Sequence, residues 1–443
     1  MSRPFHRILG LSLTVALGLG AAAMASPPKH KPSHPAAADA QQVIPPKTVY
    51  WLSAVTQNGF GMGGRPPSSG DLMKMAMGGG MGGVQKQLSL DLGSSLAPAG
   101  APEASHAIPP TMNMGKALAL RSPRPVSGTP SRGTEPEPEH RDFQRPKGRI
   151  LLFWGCGETA RPNQPVVFDF SKLAAGQIPP DLFAGEVVRV ARPPSAATWP
   201  TYGVWPNEDR GSRQSVPADA SLVGAHRVTG NYTPGMDFTL DQDWMGALNL
   251  VQTRLPSGAL QLDWNGLPGA TGHFAQLMGA SRNADGGSDI VFWSSSETQT
   301  FMSGLTEFIA PGEAARLVER RYLMAPDQTR CVVPREVMAA TRGGLISLVA
   351  HGPEQNIVYP PRPQDPHIPW VQDWAVKARF VSRTGAMAGM NMPMGDRNAR
   401  TDPARCAPRP SGASMLGGAL GGSLGGALGG MLSKPIKPDG CPN

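Results

Sequence analysis

Glycine and proline are so frequent in this chain that much of its length cannot belong to a packed core. The sequence has 54 glycines and 47 prolines among 443 residues, about twice the average usage. Glycine loses the most conformational entropy on folding and proline lacks a backbone donor, so both weaken regular structure where they cluster. We therefore expect ordered structure in two blocks, 47–215 and 220–382, with low-complexity sequence around them.

The N-terminus has the order of features found in a signal peptide. Arg3 and Arg7 precede an apolar run that ends in small residues at Ala25. A positive segment, an apolar segment of this length and an Ala-x-Ala site are typical of cleavable export signals. We predict a signal peptide over 1–25, cleavage before Ser26, and a periplasmic or cell-envelope location. A retained N-terminal anchor is the alternative.

The remaining hydrophobic pattern predicts a mainly β chain. Short runs rich in β-branched and aromatic residues are bounded by Gly and Pro, and several alternate with a period of two. The predicted strands are 48–56, 88–92, 149–154, 165–170, 186–191, 248–251, 260–264, 289–295, 345–350 and 374–381. A helix should begin near Pro311. We expect one or two β-sandwich-like domains with this helical insert, a disordered tether over 26–46 and a disordered insert at about 94–147.

One part of the second block carries a family resemblance. The strand Leu260–Trp264 is followed by the turn Pro268-Gly269-Ala270 and by a second strand at 272–275. This arrangement resembles the opening of a fibronectin type III-like domain, although His273 stands near the turn where that family usually has Tyr. The resemblance implies a β-sandwich over 220–382.

The four cysteines predict disulfides. An even number of cysteines in an exported chain favours disulfide bonding, and four cysteines allow three pairings. Cys156 with Cys331 is favoured inside the ordered part, and Cys406 with Cys441 across the C-terminal tail. No Cys-x-x-Cys pair is present in the sequence, so neither a zinc ribbon nor a thioredoxin-type redox site is supported.

Charge and motifs argue against nucleic-acid binding and give no support for catalysis. The net charge is +8, but the basic residues are scattered and form no stripe with aromatic residues. Glycine-rich matches to cofactor loops at 59–64 and 155–160 precede prolines rather than a helix, and a nucleophile-elbow match at 421–425 lies in a Leu/Gly repeat. The sequence favours a non-enzymatic binding or structural protein of the envelope. A hydrolase with an unrecognised site is an alternative.

Methionine-rich stretches suggest a second alternative, copper handling. Met387, Met390, Met392 and Met394 lie within eight residues of a Met/Pro-rich linker, 383–414. Thioether sulfur is a soft ligand that selects Cu(I), so such a segment can wrap one ion, as in periplasmic copper-handling proteins that it resembles. Other methionines with the same potential are Met73, Met75, Met77, Met81, Met112 and Met114. The competing interpretation is that methionine fills irregular apolar surface here.

A glycine zipper over 415–432 precedes the last segment, 433–443. Gly417, Gly421, Gly425 and Gly429 recur every four residues, and leucines recur beside them. In a helix this spacing gives a stripe of small residues that allows two backbones to approach closely. We expect self-association or contact with a membrane surface through this tail. A flexible tail is the alternative, because so many glycines weaken a helix in water.

Overall fold

The predicted mainly β class is confirmed. The structure, a computed structural model, describes residues 41–59, 84–123, 148–170, 172, 188–207, 215–282, 287–301, 304–341 and 343–389. The strands are β1 Val43–Ile44, β2 Thr48–Gly59, β3 Gln85–Ser94, β4 Ala104–Ala107, β5 Ala117–Leu120, β6 Gly148–Trp154, β7 Val166–Asp169, β8 Thr201–Trp205, β9 Gly224–Gly230, β10 Thr233–Leu240, β11 Leu250–Arg254, β12 Leu260–Trp264, β13 Gly272–Arg282, β14 Ser288–Ser294, β15 Arg330–Val333, β16 Gly344–Tyr359, β17 Trp370–Val371 and β18 Trp374–Met387. Two helices, α1 Pro311–Glu319 and α2 Arg335–Ala340, and a 3-10 turn, Pro110–Met112, complete the described elements.

A nine-stranded sheet organises the fold. Its order is β7-β6-β14-β13-β16-β18-β2-β3-β8. The pairs β2–β18 and β6–β14 are parallel, and the others are antiparallel. The strands before residue 215 lie at both ends of this sheet, and the later strands fill its middle. The boundary predicted between the blocks 47–215 and 220–382 therefore does not separate two sheets, because β2 and β6 find parallel partners in the second block.

Two smaller sheets cover one face of the nine-stranded sheet. They are β10-β9-β4-β5 and β11-β12-β15. One continuous hydrophobic core contains side chains of all three sheets, among them Leu52, Leu90, Leu120, Leu262 and Leu348. The residues on which the fibronectin-type resemblance rests divide between layers, since β12 belongs to the three-stranded sheet and β13 to the large one. That resemblance stays a prediction.

A hydrogen-bonded chain of polar side chains crosses this core between two sheets. Tyr50 Oη lies 2.8 Å from His106 Nδ1, His106 Nε2 lies 2.9 Å from His226 Nδ1, and His226 Nε2 lies 2.7 Å from the Leu222 carbonyl oxygen. The carbonyl can only accept, so His226 Nε2 carries a proton. In neutral imidazoles the remaining protons then follow in order, and Tyr50 donates to His106, which donates to His226. Phe238 stacks on His226 with 5° between the rings.

The opposite face of the large sheet is apolar at one end and polar in its middle. The predicted helix at Pro311 is confirmed, and Ala314 and Leu317 of α1 pack with Phe274 of β13. A second cluster joins Leu152, Phe168 and Phe292 at the β6–β7 end. Between these clusters and β8 the sheet presents polar residues. The described residues contain no helix long and apolar enough to cross a membrane.

The prediction of a disordered insert over 94–147 is wrong for residues 94–123. This stretch contains β4, the 3-10 turn and β5, and Leu118 and Leu120 are buried against the large sheet. The Met/Pro-rich linker also begins later than residue 383, because β18 remains paired with β16 as far as Met387. The strand predicted at 186–191 is wrong for the described residues 188–191, which form no strand. The Val190 N–H donates instead to the Val188 carbonyl at 3.1 Å.

The disulfide favoured from the sequence is present. Cys156, just after β6, bonds to Cys331 of β15 across 175 residues of chain. Cys331 is buried, and the backbone N–H of Gly157 donates to the Val332 carbonyl at 2.9 Å beside it. The bond therefore joins the large sheet to the three-stranded sheet.

Candidate functional site

A polar cleft of about 660 Å³ lies on the open middle of the large sheet. Its floor comes from six adjacent strands, β13, β16, β18, β2, β3 and β8. Neighbouring strands lie about 4.8 Å apart, so the trough runs roughly 24 Å across the sheet. The strand residues that line it are Gln276, Ser347, Val349, Arg379, Arg383, Ser53, Gln87, Ser89, Asp91, Tyr202, Val204 and Trp205.

Two connecting segments, 188–200 and 304–310, border this floor. The first lies flat on β3 at Gly93, where an added Cβ would be 2.6 Å from the Trp199 ring and 2.7 Å from Pro194 Cβ. A side chain at this position would push the segment away from the sheet. The second segment contributes Thr306, Glu307 and Phe308 to the lining.

Arg379 is the most firmly held charged group in the cleft. Its Nε donates to Ser53 Oγ at 2.8 Å and its Nη1 to the Ala191 carbonyl at 2.9 Å. The guanidinium carbon lies 4.2 Å from the centroid of Phe308 and 4.9 Å from that of Trp51, within the range of cation–π attraction. Burial lowers the pKa of Arg379 to about 10, so the group stays charged at neutral pH.

Arg383, four residues along β18, is less fully used by the protein. Its Nη2 donates to the Thr306 carbonyl at 2.9 Å, and its Nε is buried without a partner among the described residues. Its guanidinium carbon lies 5.7 Å from the Phe308 centroid. A guanidinium has five N–H groups, so Arg383 keeps hydrogen-bonding capacity for a ligand.

Asp91 and Tyr202 form a pair on the β3–β8 side of the cleft. The Tyr202 hydroxyl donates to Asp91 Oδ1 at 2.6 Å. Burial raises the pKa of Asp91, while the bond from Tyr202 and the charge of Arg379 oppose that rise. Burial also raises the pKa of Tyr202, and its bond to Asp91 adds to the effect. Tyr202 therefore stays protonated and acts as a fixed donor.

Neutral polar side chains make up the rest of the floor. Gln87, Ser89, Gln276 and Ser347 line the cleft, and their side chains have no hydrogen-bond partner within the described ranges. Amides and hydroxyls of this kind both donate and accept. They are thus available to a ligand that does the same.

The described residues include only a few of the sequence-predicted site residues. Met387 ends β18, where its carbonyl accepts from Gln252 Nε2 at 3.0 Å, while Met390, Met392 and Met394 lie outside the described residues. Met112 and Met114 are buried in the core, so their assignment to a copper-wrapping segment is wrong. Also outside the described residues are Met73, Met75, Met77, Met81, Cys406, Cys441, Gly417, Gly421, Gly425 and Gly429.

No cluster of three or more His, Cys, Asp or Glu side chains that could hold a metal ion occurs in the described part of the chain. Copper binding by the methionine segment stays a prediction. Asp243 has a structural role, since its Oδ1 accepts the Leu222 and Trp244 backbone N–H groups.

The cleft itself was missed from the sequence. The local indication of the cleft was that every second residue of several strands is polar. Such alternation shows that these side chains point away from the core, and it does not show that they form a cleft. Comparison with protein-family models, with curated proteins and with solved structures finds no match to this chain.

Proposed function

We propose that this chain is an exported, non-enzymatic binding protein whose cleft holds an extended, hydroxyl-rich ligand, a segment of a glycan chain. The observation that carries the proposal is the polar floor across six adjacent strands, whose amides and hydroxyls include several without a partner among the residues that the structure describes. Sugar hydroxyls both donate and accept hydrogen bonds, as these side chains do. Phe308 adds apolar ring surface against which the C–H face of a sugar can pack.

The shape of the cleft supports a chain-like ligand over a compact one. The floor crosses β13 to β8 without a break in strand order, and it extends about five inter-strand spacings. Compact cofactors are usually enclosed by mainly apolar walls with few polar groups. Here polar side chains outnumber apolar ones along the floor.

Loss of two floor amides should weaken glycan binding about tenfold. Gln87→Ala with Gln276→Ala removes two neutral hydrogen-bonding groups, each contributing about 0.5–1.5 kcal/mol. The measurement is calorimetric titration of the mature chain with a glycan first identified on an array. The matched control is Gln328→Ala with Asn356→Ala, two amides outside the cleft lining. Equal affinity in both double variants, or no glycan bound by the folded wild type, would refute the proposal.

Export is part of the same proposal. It is supported by the signal-like sequence before Ser26 and by the Cys156–Cys331 disulfide, since such bonds persist in oxidising compartments. We expect the mature protein to begin at Ser26 and to fractionate outside the cytoplasm. The intact mass of the fractionated protein tests this, and a mass that retains residues 1–25 would contradict it.

A hydrolase is the second candidate, on one observation. Asp91 is buried and its pKa is raised by that burial, as is common for a carboxyl group that donates a proton to a leaving group. Prolonged incubation of the bound glycan with the mature chain distinguishes the two functions. We expect the ligand to be recovered intact, and shorter products that disappear with Asp91→Asn would establish the hydrolase instead.

A further inference from the structure

The cleft contains two arginines whose charge a neutral glycan would not use. We propose that its ligand is an acidic glycan bearing carboxylate groups, and that Arg383 is the residue that recognises the carboxylate. This inference rests on the proposed function and names the ligand class for the same cleft. The proposal depends on the position of Arg383, on its N–H groups that the described residues leave without an acceptor, and on the charges around it.

The two arginines have different parts in this recognition. Arg379 is fixed by Ser53 and by the Ala191 carbonyl and lies against two aromatic rings. It is a positioned charge at the centre of the floor. Arg383 makes one hydrogen bond, to the Thr306 carbonyl on the cleft wall. Its remaining N–H groups form the planar fork that matches a carboxylate by two parallel hydrogen bonds.

Leaving Arg383 incompletely bonded has a cost that a ligand can remove. Its Nε is buried without a partner in the described part of the chain. A buried donor without a partner is unfavourable, and most such donors in proteins are satisfied. A carboxylate entering beside Phe308 would supply acceptors after a small rotation of the guanidinium.

The carboxylates of the cleft, Asp91 and Glu307, leave Arg383 available to a carboxylate of the ligand. Asp91 is already engaged by Tyr202. Glu307 is exposed on the 304–310 wall, and its charge favours the charged forms of both Arg379 and Arg383 without a direct ion pair to either. Glu307 thus reduces the positive field that an acidic ligand would meet. Its removal should strengthen acidic binding, which a purely structural role for the arginines does not predict.

The test compares glycans of one length and backbone in carboxylated, sulfated and neutral forms, titrated into the mature protein. We expect the carboxylated form to bind about tenfold more tightly than the neutral one, as charge-assisted hydrogen bonds are stronger than neutral ones, and to weaken as salt is added. Arg383→Gln should abolish this preference. Arg383→Lys should retain part of it, because charge remains but the fork is lost.

Glu307→Gln is the decisive variant because it predicts a gain. The ratio of the affinity for the carboxylated glycan to that for the neutral form should rise severalfold. Controls for charge alone are Arg227→Gln, exposed and paired with Asp237 at 3.5 Å, and the exposed Glu319→Gln. Thermal unfolding checks that each variant is folded.

Each remaining outcome separates the two proposals. Equal binding of carboxylated and neutral forms would overturn the acidic ligand and leave glycan binding in place. Tighter binding of the sulfated form would overturn the carboxylate. No binding of any form by the folded protein would overturn the proposed function itself.

Discussion

Acidification from pH 7 to pH 5 should lower the free energy of unfolding of this protein. Burial holds the pKa of four histidines, His106, His226, His273 and His351, below the usual 6.5, and that of His351 lies at about 3. Below pH 6.5 the unfolded chain therefore takes up protons at these sites more readily than the folded chain does. Stability is therefore fully present above pH 6.5 and is lost as the pH falls.

The expected effect is a substantial part of the stability of a typical domain, which is about 5–15 kcal/mol. A histidine that stays neutral in the folded state costs up to about 1.4 kcal/mol per pH unit, hence about 2 kcal/mol at pH 5. His351, with a pKa of about 3, is such a group, and the other three histidines add to its effect in the same direction. Asp91, with its raised pKa, acts in the opposite direction but is a single group.

The hydrogen-bonded chain of Tyr50, His106 and His226 explains why the two histidines in it, His106 and His226, resist protonation. In the neutral chain His106 Nδ1 accepts from Tyr50, and His226 Nδ1 accepts from His106. A proton added to either ring would place an N–H group at Nδ1, the atom that accepts a hydrogen bond in the neutral chain. Protonation therefore breaks a buried hydrogen bond as well as burying a charge.

The measurement is urea unfolding at several pH values between 7 and 5. The dependence of the free energy of unfolding on pH gives the number of protons taken up, with four as the expected upper limit. His351→Leu should reduce that number by about one. The explanation is wrong if the free energy stays constant over this range, or if His351→Leu shows the same proton uptake as the wild type.

Elements with a strong local signal were predicted from the sequence. The apolar runs of β6, β12 and β14 and the Pro-initiated helix α1 lie where their own residues indicate. The Cys156–Cys331 bond followed because both cysteines fall in predicted ordered blocks. The strands and the helix depend on hydrophobicity and on turn residues, which can be read from the local sequence. The disulfide required only a choice among the three pairings that four cysteines allow.

Strands β4 and β5 could not be recognised in this way. Their sequences, Ala104–Ala107 and Ala117–Leu120, are short and alanine-rich within a Pro/Ser stretch. They are ordered because β4 pairs with β9, more than 100 residues later, and because Leu118 and Leu120 are buried against the large sheet. Tertiary packing outweighs composition here.

The cleft was hidden for a related reason. The alternation in β3 indicates that Gln87, Ser89 and Asp91 point away from the core, and that part is predictable. Nothing local indicates that β18, with Arg379 and Arg383, pairs in parallel with β2, about 330 residues earlier. The site exists only after both ends of the described chain join one sheet.

Removing the Cys156–Cys331 disulfide should lower the free energy of unfolding by about 5 kcal/mol. The bond closes a loop of 175 residues, and the restriction that it places on the unfolded chain grows with loop length. Cys156→Ala with Cys331→Ala changes little volume. The neighbouring backbone bonds, Gly157 to Val332 at 2.9 Å and Arg335 to Glu158 at 3.0 Å, should keep the native contact in place.

The loss should therefore appear in stability and not in ligand affinity. Neither cysteine lines the cleft, so glycan binding by the variant below its unfolding transition should match that of the wild type. The matched control is Cys406→Ala with Cys441→Ala, which removes the other two cysteines and should leave the urea midpoint unchanged. An unchanged midpoint in the Cys156/Cys331 variant would contradict the prediction. A parallel loss of affinity would mean that the bond also positions the sheet strands under the cleft, since β6 follows β14 in register as far as Trp154.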